Sequence, residues 1–288
     1  MDQATPVPGG LGRRRQRLSD TETEERMLAA ASAMVSRDGL TVSLEHISFE
    51  DVIRDAGVSR SAVYRRWPYK DLFFSDLLRE LARGASPAIA AGNPDAIDEV
   101  RTTLRAHIHW LATPALRRAL VGEVMRVGAL REFDIFHQSA DWRTYLALHA
   151  TFLSLPDGDL RAEVQAALTE SDHALMTRIG GAYEQAAELL GLRLRPELGA
   201  TFTTVAILAS AALRGLVTMA PANPEIATVR LLANPFDAPE PAEWSPPALA
   251  VATLVLSFVE PDPDIDWTGK HSAQVLRALE EGTWPTVG

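Results

Sequence analysis

The chain has no cysteine, which removes disulfides, thiolate nucleophiles and thiolate metal sites at once. It has no run approaching the roughly 18–20 consecutive apolar residues that a membrane span needs. Its first ten residues, Met-Asp-Gln-Ala-Thr-Pro-Val-Pro-Gly-Gly, lack the apolar stretch of a secretion signal. A cytoplasmic protein that makes no use of a membrane is the expectation. Catalytic signatures are missing too. There is no glycine-rich phosphate loop and no Gly-x-Ser-x-Gly elbow. His107 and His109 stand two apart on a predicted helix, so they point in different directions and cannot share a metal as an i, i+4 pair would. Glu45-His46 has no partners nearby, and the carboxylates are dispersed. No catalytic residue, metal or cofactor is expected.

What is present is apolar content and unevenly placed charge. Of 288 residues, 47% are hydrophobic, enough to bury the core of one large domain or two ordinary ones. The formal net charge of −10 lies entirely in the second part: residues 1–84 hold 13 Lys+Arg and 13 Asp+Glu, leaving 15 basic and 25 acidic residues for 85–288. Between 54 and 70, Arg54, Arg60, Arg65, Arg66 and Lys70 face a single acid, Asp55. A local basic patch attracts phosphate whatever the total charge elsewhere.

That patch falls within the stretch that organises the chain, residues 48–72. Ser48 is a candidate N-cap with Asp51 three positions on to return the hydrogen bond as a capping box, and Phe49, Val52, Ile53 and Ala56 recur at helical spacing. Gly57 is suited to the left-handed turn that ends a helix. Ser59 can cap the next helix, whose Val63 turns inward and leaves Arg60, Ser61, Tyr64, Arg65 and Arg66 outside. Pro68 stops it. Two short helices around a glycine turn, with hydroxyls, a tyrosine and arginines on the second, make a DNA-reading shape. A first helix is predicted from Thr21 or Thr23, with Thr21 and Glu24 as a capping box and Met27, Leu28, Ala31, Met34 and Val35 as its buried stripe. Gly39 ends it, and Leu44 and Ile47 in the connection are candidate core plugs. A fourth helix, from Asp71 through Leu81, reaches Arg83-Gly84. Ahead of all this, residues 1–19 read as a disordered arm in which Arg13, Arg14, Arg15 and Arg17 either solubilise the chain or contact DNA.

Ala-Gly-Val-Ser at 56–59, then Tyr64, Trp67 and Lys70-Asp71-Leu72, resembles the DNA-binding domain of the TetR family of bacterial transcriptional regulators over about 60 residues. The connection 40–47 is longer than that family's, and Ile53 stands where the family generally has a small residue. The resemblance implies an all-α protein with an N-terminal three-helix helix-turn-helix domain and linker helix at 20–84, followed by an effector-binding and dimerisation domain at 85–260 and a tail or partner-crossing arm at 261–288. It implies that Arg60, Ser61 and Arg65 reach base edges while Ser48, Ser59, Tyr64 and Lys70 hold phosphates. Homodimerisation through two late helices follows, for which the strongly apolar segments 196–219 and 248–259 are the candidates. A pseudo-palindromic operator and a small-molecule effector complete the expectation. Other helices are predicted at 95–112, 114–130, 142–155 and 160–190, the last bent at Gly180-Gly181, while the seven prolines of 221–247 predict an irregular loop. Trp110, Trp142, Tyr145, His149, Phe152, His173 and Tyr183 fall on the middle helices, as core or as the lining of an effector pocket. The rival expectation is an all-α small-molecule binder or enzyme with a vestigial helix-turn-helix.

Overall fold

The structure is a computed structural model that describes residues 18–38, 47–85, 89, 92–265 and 269–282. It is mostly helical, with four three-residue strands in two antiparallel pairs among the described residues. The basic cluster Arg13–Arg15, Gly39 and Leu44 lie outside the described residues.

Four helices come first: α1 (Asp20–Asp38), α2 (Phe49–Ala56), α3 (Arg60–Arg66) and α4 (Lys70–Arg83). The cap of α1 sits two residues earlier than the sequence predicts. Ser19 Oγ accepts from the Glu22 N–H at 3.1 Å, and Glu22 returns the bond to the Ser19 N–H at 2.8 Å. The predicted stripe is buried at Met27, Ala31, Met34 and Val35. Ile47 is buried, as is Ile53, which packs inside the α1–α4 core.

The larger part is built from α5 (Pro94–Ala106), α6 (Pro114–Gln138), α7 (Ala140–Leu153), α8 (Asp159–Leu189), α9 (Phe202–Met219) and α11 (Pro246–Phe258). Here α11 lies against both α6 and α9, α8 lies against α9, and α4 lies against α8. One apolar cluster runs without a break from Met27 in α1 through Phe73, Phe133, Tyr145 and Leu175 to Val251 in α11. A second gathers Leu104, Trp110, Leu120, Phe236, Trp244 and Val275. Helix α9 has the length and mean hydropathy, 1.6, of a membrane span, but it packs on α8 and α11 along one side.

Three predicted features change. The helix predicted over 95–112 stops at Ala106, and Ile108–Ala112 continues as a 3-10 turn. Residues 221–247 are irregular only in part: they include the short helix α10 (Glu225–Thr228) and a ribbon pairing β2 (Leu231–Ala233) with β3 (Ala242–Trp244). The prolines sit outside the paired residues, where no ladder hydrogen bond is lost. The tail 261–288 contains α12 (Gly269–Glu280), which buries Val275 and Leu279 against α5 and the 3-10 turn of its own chain. Arg105 donates to the Leu279 carbonyl at 2.7 Å and fixes that docking.

Helix α8 runs through Gly180-Gly181 without interruption for 31 residues. Gly180 instead lets α9 approach, since a Cβ there would lie 2.9 Å from the Thr203 backbone nitrogen. A Cβ on Gly181 would meet nothing within 4 Å. Adjacent Gly→Ala changes should therefore act in opposite directions. Gly181→Ala should stabilise by up to about 1 kcal/mol through helix propensity, whereas Gly180→Ala should destabilise by about 1–2 kcal/mol because backbone must move. Denaturant midpoints of the two variants would test this, and equal shifts would refute it.

Candidate nucleic-acid interface and internal cavity

The α2–α3 pair is held by local bonds at every junction. Ser48 Oγ accepts from the Asp51 N–H at 3.3 Å, and Gly57 takes φ 64° and ψ 29°, with its N–H on the Arg54 carbonyl. Ser59 Oγ accepts from the Ala62 N–H at 3.3 Å and lies 3.3 Å from Ser61 Oγ. Capping uses lone pairs of the serine oxygens; the Ser48 O–H remains able to donate to an acceptor such as phosphate. Val63 and Trp67 are fully buried, so the opposite face of α3 turns Arg60, Ser61, Tyr64 and Arg65 outward. The Tyr64 ring stands edge-on to Phe49 at 5.9 Å between centroids. Lys70 is exposed at the first position of α4 and makes no ion pair among the described residues.

The outward arginines are not bare, which the sequence did not reveal. Arg60 pairs with Glu50 of α2 at 2.6 Å, and the Tyr64 hydroxyl donates to the same carboxylate at 3.3 Å. Arg65 pairs with Asp20 of α1. Arg66 pairs with Glu24 at 3.0 Å and Asp76 at 3.2 Å, and the hydrogen bond from Glu24 first, then the surrounding acids, raises its affinity for the proton. The Trp67 indole N–H donates to Asp76 at 2.8 Å; Asp76 also takes Arg79 at 2.7 Å, and Arg79 reaches Glu163 on α8. A chain of charge thus runs from α1 across α3 and α4 to α8. The partners in it are separated by up to 84 residues, too far for sequence spacing to announce.

Between α5, α6, α8, α9 and α11 lies a cavity of about 160 Å³. Its walls are aliphatic, including Val100, Val124, Met125, Ile179, Leu213 and Val251. Glu132, Tyr183 and Ser210 supply the polar groups, and no arginine, lysine or histidine lines it. A second void of about 30 Å³ shares Val124, Met125, Tyr183 and Ala186 with the first, so Tyr183 stands between the two. Burial, aided by the negative charge of Glu132, pushes the Tyr183 phenol pKa upward.

Of the seven pocket candidates, Tyr183 alone faces this cavity. Trp110 is buried in the second apolar cluster, beside His107. His173 is exposed on α8, and Phe152 is half-buried with the Arg161 guanidinium 4.7 Å over its ring. Trp142, Tyr145 and His149 gather elsewhere, around two residues that spacing did not single out, Asp172 of α8 and Arg214 of α9. The Tyr145 hydroxyl donates to Asp172, and His149 Nε2 lies 3.2 Å from the other carboxylate oxygen. Arg214 stands 3.7 Å from Asp172, with its guanidinium 4.8 Å over the Tyr145 ring and 5.7 Å from that of Trp142. Burial opposes the charge of Asp172. The hydrogen bonds from His149 and Tyr145 and the charge of Arg214 outweigh it and hold the carboxyl below its usual range. Tyr145, by burial first and then by its bond to Asp172, is pushed up. Tyr145 also lines a more polar cleft of about 420 Å³ where α7 meets α1 and α4.

Helix α8 joins these parts. Ser171, buried, donates from Oγ to the Ala82 carbonyl at 2.9 Å at the end of α4, while Ile179 and Tyr183 further along reach the cavity. No family model, curated protein or solved structure matches this chain.

Proposed function

We propose that the chain is a TetR-like transcriptional regulator, a homodimer that grips a pseudo-palindromic DNA operator and releases it on binding a small apolar effector. The observation that carries this reading is α3: a capped helix anchored by buried Val63 and Trp67, with Arg60, Ser61, Tyr64 and Arg65 directed away from the protein. Inserted in a major groove, its N-terminal Arg60 and Ser61 meet base edges, while Tyr64, Lys70 and the two capping serines fix register on phosphates. Helices α9 and α11 supply the dimer face, for α9 leaves Ile207 and Leu208 exposed on the side away from its own subunit.

The cavity sets the effector's chemistry. Its volume of about 160 Å³ is close to the roughly 150 Å³ apolar cavity known to admit benzene, so a compact molecule about the size of one aromatic ring fits. With no base in the wall, an anionic effector would lose its hydration without gaining a partner. A neutral lipophile is the matching class. An effector somewhat larger than the empty space would shift α8, and α8 holds the end of α4 through Ser171. The effector then favours a spacing of the two α3 helices that fits DNA less well, which is reciprocal coupling between two sites.

Selection from a random duplex library, followed by binding measurements with and without small neutral aromatic molecules, tests the reading. Inverted repeats with half-sites about one helical turn apart should be enriched; no sequence enrichment at any salt concentration would refute it.

The ion pairs on α3 add a sharper expectation. Glu50 neutralises Arg60 and holds Tyr64, so DNA must displace a carboxylate to reach them. Glu50→Gln should raise affinity for random-sequence duplex by about threefold to tenfold, the scale of one exposed charge, and narrow the gap between operator and random DNA. Lys70→Ala should weaken both and lower the salt slope by about one. Fluorescence anisotropy across a salt series reads both, and an unchanged random-sequence affinity in Glu50→Gln would remove its gating role.

A further inference from the structure

The β2–β3 ribbon is attached to its own subunit by one face. Its register places Leu231 opposite Trp244 and Leu232 opposite Glu243. Cross-strand partners share a face and successive residues alternate. Trp244 turns toward the body and is buried with Phe236, and the Arg126 guanidinium donates to the Glu243 carbonyl at 3.2 Å. Leu232 points the other way and is 74% exposed, while Leu231, though on the inner side, is 47% exposed. Leu232 is therefore held outward on a fixed support, and Leu231 on the opposite face is only half covered by its own subunit. In a lone subunit they gain nothing, and a two-stranded ribbon is marginal in water.

Their position says what covers them. Strands β1 (Leu192–Leu194) and β4 (Val259–Pro261) pair antiparallel and tie the start of α9 to the end of α11, so α9 and α11 run in opposite directions. The end of α9, with Met219 53% exposed, therefore lies at the same end of the helix pair as the ribbon, which leads directly into α11. The large apolar side chains that α9 exposes (Ile207, Leu208 and Met219) fall short of the roughly 800 Å² per partner that a stable interface buries. The ribbon extends that surface.

We propose that the β2–β3 ribbon is a dimerisation arm whose Leu231 and Leu232 pack on a second copy of this chain, beyond the contact made by α9 and α11. The proposal rests on the homodimer reading. The chain has no cysteine, so Leu232→Cys offers a single thiol for a nitroxide spin label. The labelled full-length protein is diluted from micromolar to nanomolar concentration, with sedimentation run in parallel. The expected result is a label that is immobile in the dimer and becomes mobile with the same midpoint as dissociation. The Leu231→Ser/Leu232→Ser variant, which keeps the buried Phe236 and Trp244 anchor, should raise the dimer dissociation constant tenfold or more with unchanged helix content. A label that stays mobile in a sedimenting dimer, or a dissociation constant unmoved in the double variant, overturns the arm and leaves the dimer standing. A chain that sediments as a monomer throughout overturns the homodimer reading itself.

Discussion

Trp67→Ala should destabilise the fold by about 3–5 kcal/mol and, on the proposed function, remove DNA binding with it. Trp67 is wholly buried at the end of α3, edge-on to Phe73 at 5.2 Å between ring centroids, and Phe73 in turn contacts Phe49. Truncation opens a void at the point where α2, α3 and α4 meet. It also takes the indole donor from Asp76, leaving that carboxylate to Arg66 and Arg79 alone. Trp67→Phe separates the two causes. It retains most of the packing and loses one hydrogen bond, at a cost of about 1–2 kcal/mol. Chemical denaturation followed by circular dichroism measures both, and a loss below about 1 kcal/mol in Trp67→Ala would contradict this account of the core.

Asp172→Asn should cost about 2 kcal/mol at neutral pH, less than the 3–5 kcal/mol for breaking a wholly buried pair because Asp172 and Arg214 keep some contact with solvent. Asparagine cannot match the charge of Arg214 or accept as strongly from Tyr145 and His149. The pH dependence carries the sharper test. The folded carboxyl is held below its ordinary value, so Asp172 contributes stability that is fully present above the unfolded value of about 3.9 and disappears as pH falls through the lower folded value. The parent protein should lose stability across that acid window, and Asp172→Asn should lose less. Denaturation curves at pH 7 and at pH 3 would show the difference between the two proteins shrinking. A constant difference would mean that the carboxyl is not stabilised as its surroundings imply.

Much of the α2–α3 region is legible from the residues alone. Ser48, Gly57 and Ser59 do in the structure what their chemistry suggests, because caps and left-handed turns are decided within three or four residues. Buried stripes such as Met27, Ala31, Met34 and Val35 follow from spacing for the same reason. Local reasoning fails where a distant partner decides. The contact at Gly180 is not written in its neighbourhood, since the need for glycine comes from Thr203 on another helix. Seven prolines suggested a loop at 221–247, but the paired residues lie between them, anchored by Phe236 and Trp244. The aromatic residues of the middle helices divide between an apolar cavity, a polar cluster and plain core, and nothing in their own sequence neighbourhoods distinguishes these fates.

By itself, then, the sequence determined a mostly helical chain, the capped helix pair at 48–66 and four of the five expected outward residues, Arg60, Ser61, Tyr64 and Arg65, for these depend on period and on short-range hydrogen bonds; Arg66, the fifth, is half-buried between Glu24 and Asp76. Only the tertiary structure decided that Glu50, Asp20 and Glu24 sit on those arginines, that Glu132 and Tyr183 face the cavity, and that Asp172 meets Arg214. Each of those juxtapositions joins residues of different helices, and a pairing across helices is set by how their buried faces pack rather than by the order of residues along either one.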